Sequence, residues 1–288
     1  MRVAPECIHC ILRQCIEAAR FATGNEQLVW EIVSKLLGQL QEMRRDLTPP
    51  EVSQVAHRLV REYTSNPDPY EKAKRQFNLI ARGLYPKLEK IVNSSKESLY
   101  DALKLAIAGN VIDFAIDERI DAARAIEDVM KADFAINDVQ EFREELGKSK
   151  DILFIADNAG EVFFDKLLIE QLSGLRITYV VKGSPILNDA TLEDAKFAEL
   201  DKFAEIITTG TDAVGVIFGQ TSREFQKHLG KADMIIAKGH GNYESLEETD
   251  YNAFFLLKAK CAAVAKSLGV GVAVGNIVLK RNRKKGRS

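Results

Sequence analysis

Along the first third of the chain, apolar residues return every three or four positions. CILRQCIEAARFA and LVWEIVSKLLGQLQEM both show this spacing, which predicts amphipathic helices. Thr48-Pro49-Pro50-Glu51 reads as a helix start, with Thr48 as the cap and proline in the first turn. SNPDPYEKAKRQFN is a proline-punctuated turn leading into a further helix from about Pro69. SLYDALKLAIAGNVIDFAI, residues 99–117, is apolar on most of its circumference and predicts a buried helix. From Lys150 onward the pattern changes. Short β-branched runs appear at 152–156 (ILFIA), 177–181 (ITYVV), 205–209 (EIITT), 234–238 (MIIAK) and 254–258 (FFLLK). The stretches between them, FFDKLLIEQLSG and SREFQKHLG, have helical spacing and end in glycine, a common helix stop.

Alternating strands and helices imply a mainly parallel sheet covered on both faces. The predicted architecture is therefore α/β, with an all-helical domain over residues 1–97 and a sheet domain over residues 98–288. Composition supports a globular protein: 46% of residues are hydrophobic and 28% charged. The net charge of −2 argues against a dedicated nucleic-acid binder. The basic run KRNRKKGR at 280–287 reads as a solvated terminus rather than a contact for an acidic partner. No apolar stretch is long enough to span a bilayer, and MRVAPECIHCILRQC lacks a continuous signal core, so the expected compartment is the cytoplasm. Cys7, Cys10, Cys15 and Cys261 are too few for a disulfide scaffold. Cys7-x-x-Cys10, with Cys15 nearby, is either half of a zinc site or a set of small buried residues on a helix.

Several strands are followed by polar and glycine residues that a plain turn does not need. Asp157-Asn158-Ala159-Gly160-Glu161 follows the first, and Lys182-Gly183-Ser184-Pro185 then Asn188-Asp189 follow the second. Lys238-Gly239-His240-Gly241-Asn242-Tyr243-Glu244 ends a third, and Lys258 and Lys260 lie at the end of FFLLK. In an open parallel sheet these carboxyl ends share one edge, where ligands bind. Asp157, Asn158 and Asp189 offer two carboxylates and an amide oxygen, a hard set suited to Mg²⁺ or Mn²⁺. Gly160 permits a close backbone approach, and the helix start after it can hold phosphate. Glu161 fits a sugar hydroxyl or metal-bound waters, or simply a first-turn position favoured by the helix dipole. Gly239 and Gly241 suggest an anion-binding nest, with Asn242 and Glu244 facing the substrate. His240 is an acid–base candidate or a solvated loop residue. Lys258 ends an apolar strand, where a charge needs a partner, so it is preferred over Lys260 for offsetting phosphoryl charge.

Taken together, DNAGE, KGSPILND, KGHGNYE and LLKAKC, preceded by AGNVIDF and the N-terminal CxxC, resemble the damage-control phosphatases, formerly a domain of unknown function. The likeness runs from Cys7 to about Val278 and points to the CxxC branch. It implies a helical N-terminal region on an αβα sandwich with a Rossmann-like sheet. It also implies a divalent metal (manganese, nickel, cobalt or magnesium) and hydrolysis of small phosphorylated metabolites. By motif, the resemblance makes Asp157, Asn158 and Asp189 metal ligands, and gives substrate contacts to Glu161, Lys238 through Asn242, and Lys258. Asn110 and Asp113 match the family's GN..DF element, behind the metal site. Direct hydrolysis by metal-activated water is expected, because the aspartyl-phosphate route wants an acid where this chain has Ala159. The rival readings are a small-molecule methyltransferase and a non-catalytic metabolite or metal-binding regulator. Substrate identity and oligomeric state are not legible from the sequence.

Overall fold

The computed structural model describes residues 1–112 and 122–282. Three helices open the chain: α1 (Pro5–Ala22), α2 (Glu26–Gln41) and α3 (Pro49–Thr64). Thr48 caps α3 as expected. Its backbone N–H donates to Glu51 Oε2 at 2.7 Å while its hydroxyl accepts from the Glu51 N–H. Ile11, Cys15, Ala18, Ile32, Leu36, Ala56 and Val60 form the core of this bundle.

α4 (Glu71–Ser94) follows the bundle in sequence, but its buried face belongs elsewhere. Phe77, Ala81, Leu88 and Val92 join the core against one face of the sheet, together with α5 (Ser98–Ile112). The predicted helix 99–117 is α5 as far as Ile112; its remainder, including Asp113, lies outside the described residues. The packing boundary thus falls between Tyr70, in the bundle core, and Phe77, in the sheet core.

Among the described residues seven strands form one sheet. They are β1 (Phe134–Asn137), β2 (Asp151–Ile155), β3 (Arg176–Val181), β4 (Glu205–Thr208), β5 (Met234–Lys238), β6 (Ala253–Lys258) and β7 (Ile277–Arg281), in the spatial order β1-β7-β6-β5-β2-β3-β4. β2 to β6 pair in parallel; β7 is antiparallel to β6 and parallel to β1. β1 and β7 were not expected from the sequence, and Lys280 and Arg281 of the basic run belong to β7.

Helices cover both faces. Ile152, Phe154 and Tyr179 point toward α4, α5 and α8 (Glu161–Glu170), whereas Leu153, Ile155 and Val180 point toward α10 (Arg223–Lys231), α11 (Gly239–Leu246) and α12 (Ala262–Leu268). The chain builds β2, β3 and β4 outward in one direction, then returns to lay β5 against the other side of β2. The order reverses between β2 and β5, and the crevice beyond their carboxyl ends is where such sheets take ligands.

Candidate active site

Asp157 and Asn158 leave β2 at that reversal point. Their loop is zipped to the Asp189 loop by two backbone bonds: the Ala159 N–H donates to Asn188 O (2.9 Å) and the Ala190 N–H to Asp157 O (2.8 Å). Asn158 and Asp189 face each other as an antiparallel bridge. Across the crevice stands Gly239, at φ +75°. A Cβ there would come within 1.9 Å of Asp157 Oδ2, so glycine is needed to make room for the carboxylate.

Behind these loops lies a buried polar network. Asn110 donates to Asp157 Oδ2 and to Glu161 Oε1, both at 2.6 Å. Asn158 donates to the same two atoms at 3.1 and 2.5 Å. Glu161 Oε2 accepts from Lys238 (2.8 Å), which also donates to Asp165 Oδ1 (2.6 Å), and the Tyr179 hydroxyl donates to Asp165 Oδ2 (2.8 Å). Glu161 and Lys238 have no exposed side-chain surface. Burial alone would discharge Lys238, but Asp165 and Glu161 reverse the effect and raise its pKa. Burial pushes Asp165 up to about 6, against the pull of Lys238. Asp189 is likewise pushed to about 6 by burial, opposed by Lys182, whose Nζ lies 3.4 Å from Asp189 Oδ2 and donates to Gly215 O.

These residues fit a hard divalent cation. Among the described residues, four buried or half-buried carboxylates (Asp157, Glu161, Asp165, Asp189) lie beside two buried ammonium groups (Lys182, Lys238). Asp189 Oδ2, Asn110 Oδ1 and Asn242 Oδ1 are buried and accept no hydrogen bond. Each is an acceptor, so the deficit is in positive charge and donors. Asn158 commits its amide nitrogen to carboxylates, which leaves its oxygen to face an ion. Among the described residues no three His, Cys, Asp or Glu side chains are gathered for a metal. The candidate set at the crevice is mixed carboxylate and amide. Cys7 and Cys15 are buried in the bundle, and burial pushes the Cys15 thiol up to about 11.

Several expected substrate contacts take structural positions instead. Glu161 and Lys238 have no exposed side-chain surface and bond to each other inside the network. The close approach at Gly160 is made by Phe77 of α4, whose ring would lie 2.4 Å from a Cβ there. Gly239 to Asn242 form the first turn of α11, not a loop nest, and Gly241 makes room for Val214 and Gly215. His240 is half-buried at the start of α11. Its Nε2 lies 2.9 Å from Lys258 O and 3.0 Å from the Lys260 N–H, and burial, with Lys260 nearby, pushes its pKa down to about 3. Asn242 donates to Ala156 O and Lys238 O, tying β2 to β5. Glu244 sits by the N-terminus, where the Met1 ammonium donates to its backbone carbonyl. Lys258 is half-buried at the end of β6 and has no ion-pair partner among the described residues, whereas Lys260 engages another group.

Asp165 and Tyr179 were missed in the sequence, as was the place of α4 beside the site, where it supplies Phe77 over Gly160 and Asn78, whose amide donates to Asp194 at 2.7 Å. An acid inside the apolar run FFDKLL was the available signal for Asp165. The turn that carries Asp189 has its own peculiarity: Leu187 adopts a left-handed backbone (φ +48°), and its side chain packs against the α1–α3 core.

The sequence profile of the damage-control phosphatase ARMT1-like domain matches residues 3–274. A damage-control phosphatase of Pyrococcus horikoshii is 37% identical, over 98% of this chain and 99% of its own. One from Archaeoglobus fulgidus is 35% identical, over 97% of this chain and 99% of its own. The crystal structure of a DUF89 family protein from Pyrococcus horikoshii superimposes with a TM-score of 0.89 at 36% identity, covering 98% of this chain and 100% of that one.

Proposed function

The chain belongs to the damage-control phosphatase ARMT1-like domain family and is a phosphatase, and on that premise we propose that it hydrolyses small phosphorylated metabolites at the β2/β5 crevice with a divalent cation held by Asp157, Asn158 and Asp189. The observation that carries the reading is the set of buried oxygens without donors at the crevice, Asp189 Oδ2, Asn110 Oδ1 and Asn242 Oδ1. Oxygen ligands favour manganese, magnesium, cobalt or nickel over a thiolate-bound zinc. Bound there, such an ion polarises a phosphoryl oxygen and lowers the pKa of water.

Asp157 and Asp189 would hold that ion from two adjoining loops, which the Asn158–Asp189 bridge keeps together. Lys258, a half-buried cation at the same sheet edge with no ion pair among the described residues, offsets the charge that develops on the transferred group. It is preferred over Lys260, which is already engaged. A covalent aspartyl route is disfavoured, because Asp157 Oδ2 is held by Asn110 and Asn158 and no acid follows at Ala159. The free thiols favour a cytoplasmic location, and no described helix is long and apolar enough to cross a membrane.

The methyltransferase alternative is not favoured by the relatives. Its glycine run, residues 269–275, lies between α12 and β7 and not between a first strand and its helix. The decisive experiment is a screen of sugar phosphates, nucleotide-related phosphates and p-nitrophenyl phosphate with Mn²⁺, Ni²⁺, Co²⁺ and Mg²⁺. Wild type is expected to turn over with at least one metal. Asp157→Ala is expected to fall to background while keeping a cooperative thermal transition. Absence of turnover in the wild type across the panel would favour a non-catalytic regulator.

A further inference from the structure

Lys238 is a costly residue to bury, and the phosphatase reading gives it no substrate to touch. A lysine with no exposed surface between two carboxylates must be explained by what those carboxylates do. Asp165 touches neither loop of the crevice in any of its hydrogen bonds; it bonds only Lys238 and the Tyr179 hydroxyl. Glu161 divides its two oxygens. Oε2 is held by Lys238, while Oε1 receives the amide nitrogens of both Asn110 and Asn158.

An amide whose nitrogen is fixed has its oxygen fixed on the opposite side. Glu161 Oε1 thereby decides which way two carboxamides point, and it is consistent that Asn110 Oδ1 is left buried without a donor. Without the lysine, Glu161 could rotate, and each amide could flip to offer N–H groups to a cation.

We propose that Tyr179, Asp165 and Lys238 are positioning residues that lock Glu161, and through it turn the amide oxygens of Asn158 and Asn110 toward the metal. The inference rests on the phosphatase reading and deepens it. The relay runs from the side of β3 through α8 to the end of β5, so three elements hold one ligand orientation. Outer partners of this kind usually matter about 10–100-fold in metal affinity or activity.

Charge and orientation can be separated experimentally. Lys238→Met combined with Asp165→Asn removes one positive and one negative charge, so the net charge of the cluster is unchanged while Glu161 Oε2 loses its anchor. Binding of Mn²⁺ to the metal-stripped protein, followed by titration calorimetry, is expected to weaken about 10–100-fold in the double variant. Tyr179→Phe, which loosens only the far end, is expected to weaken binding in the same direction by less, with kcat lowered and KM for p-nitrophenyl phosphate little changed. Wild-type Mn²⁺ affinity in a double variant that melts cooperatively would overturn the proposal. If the double variant does not fold, Tyr179→Phe decides: unchanged affinity overturns the proposal, and weakened affinity supports it. A wild type that binds none of Mn²⁺, Mg²⁺, Co²⁺ and Ni²⁺ would instead sink the metal-site reading on which the proposal rests.

Discussion

Asp157 and Gly239 meet across the crevice with no space for a methyl group between them. Alanine at position 239 would carry two penalties: a left-handed backbone disfavoured for any residue with a Cβ, and a collision with the carboxylate offered to the metal. Gly239→Ala is expected to lower stability by about 1–3 kcal/mol, measured by urea unfolding. It should also weaken Mn²⁺ binding more than that loss of stability would suggest. An affinity equal to wild type would show that Asp157 is not a ligand. At this scale the sequence was partly legible. Asp157, Asn158 and Asp189 could be placed because each follows a strand, and strand ends share an edge. The partners of Lys238 could not be placed, because nothing in the order of residues says that the lysine turns inward to meet α8. An exposed strand-end lysine and a sealed one read alike.

At the scale of elements, α4 matters most. It reads as the last helix of an N-terminal bundle, and periodicity alone cannot tell which core an amphipathic face will join. In the fold that face lies on α5 and α8, and Phe77 covers Gly160 at the entrance to the crevice. Cutting the chain before residue 98 would strip Phe77, Ala81, Leu88 and Val92 from the sheet core. A fragment starting at residue 66 is therefore expected to melt cooperatively and well above one starting at residue 98, as followed by circular dichroism. Equal transitions would place α4 with the bundle. β1 and β7 escaped the sequence for a different reason. β1 has only four residues, and β7 is half apolar and half basic, so neither carries the long β-branched run that marks the central strands. The four central strands β2, β3, β5 and β6 announced themselves because both of their faces are largely buried, and β4, at the sheet edge, did so through its run EIIT.

For the whole molecule, buried titratable groups set opposing pH limits. Burial, reinforced by Arg61 for His57 and by Lys260 for His240, pushes both rings from 6.5 to about 3. The unfolded chain then binds more protons than the folded one between those values. The stability that comes from keeping the rings neutral is complete above about pH 6.5 and drains away as pH falls toward 3. Glu244 runs the other way: burial pushes its carboxyl from 4.5 up to about 8, opposed by the N-terminal ammonium. Its contribution is complete below pH 4.5 and is lost as pH rises through 8. Glu244→Gln is expected to flatten the decline of urea-unfolding stability between about pH 4.5 and 8. A decline unchanged from wild type would show that this carboxyl is already ionised in the fold.

Leu187 has a consequence for descent. Its strained backbone shapes the turn two residues before Asp189, while its side chain belongs to the helical bundle. The catalytic half and its covering half therefore share a hinge pin, and neither can drift alone. A chimaera that takes residues 1–65 from a relative is expected to work only when residues 184–189 travel with them, as read by its thermal transition and turnover beside the parents.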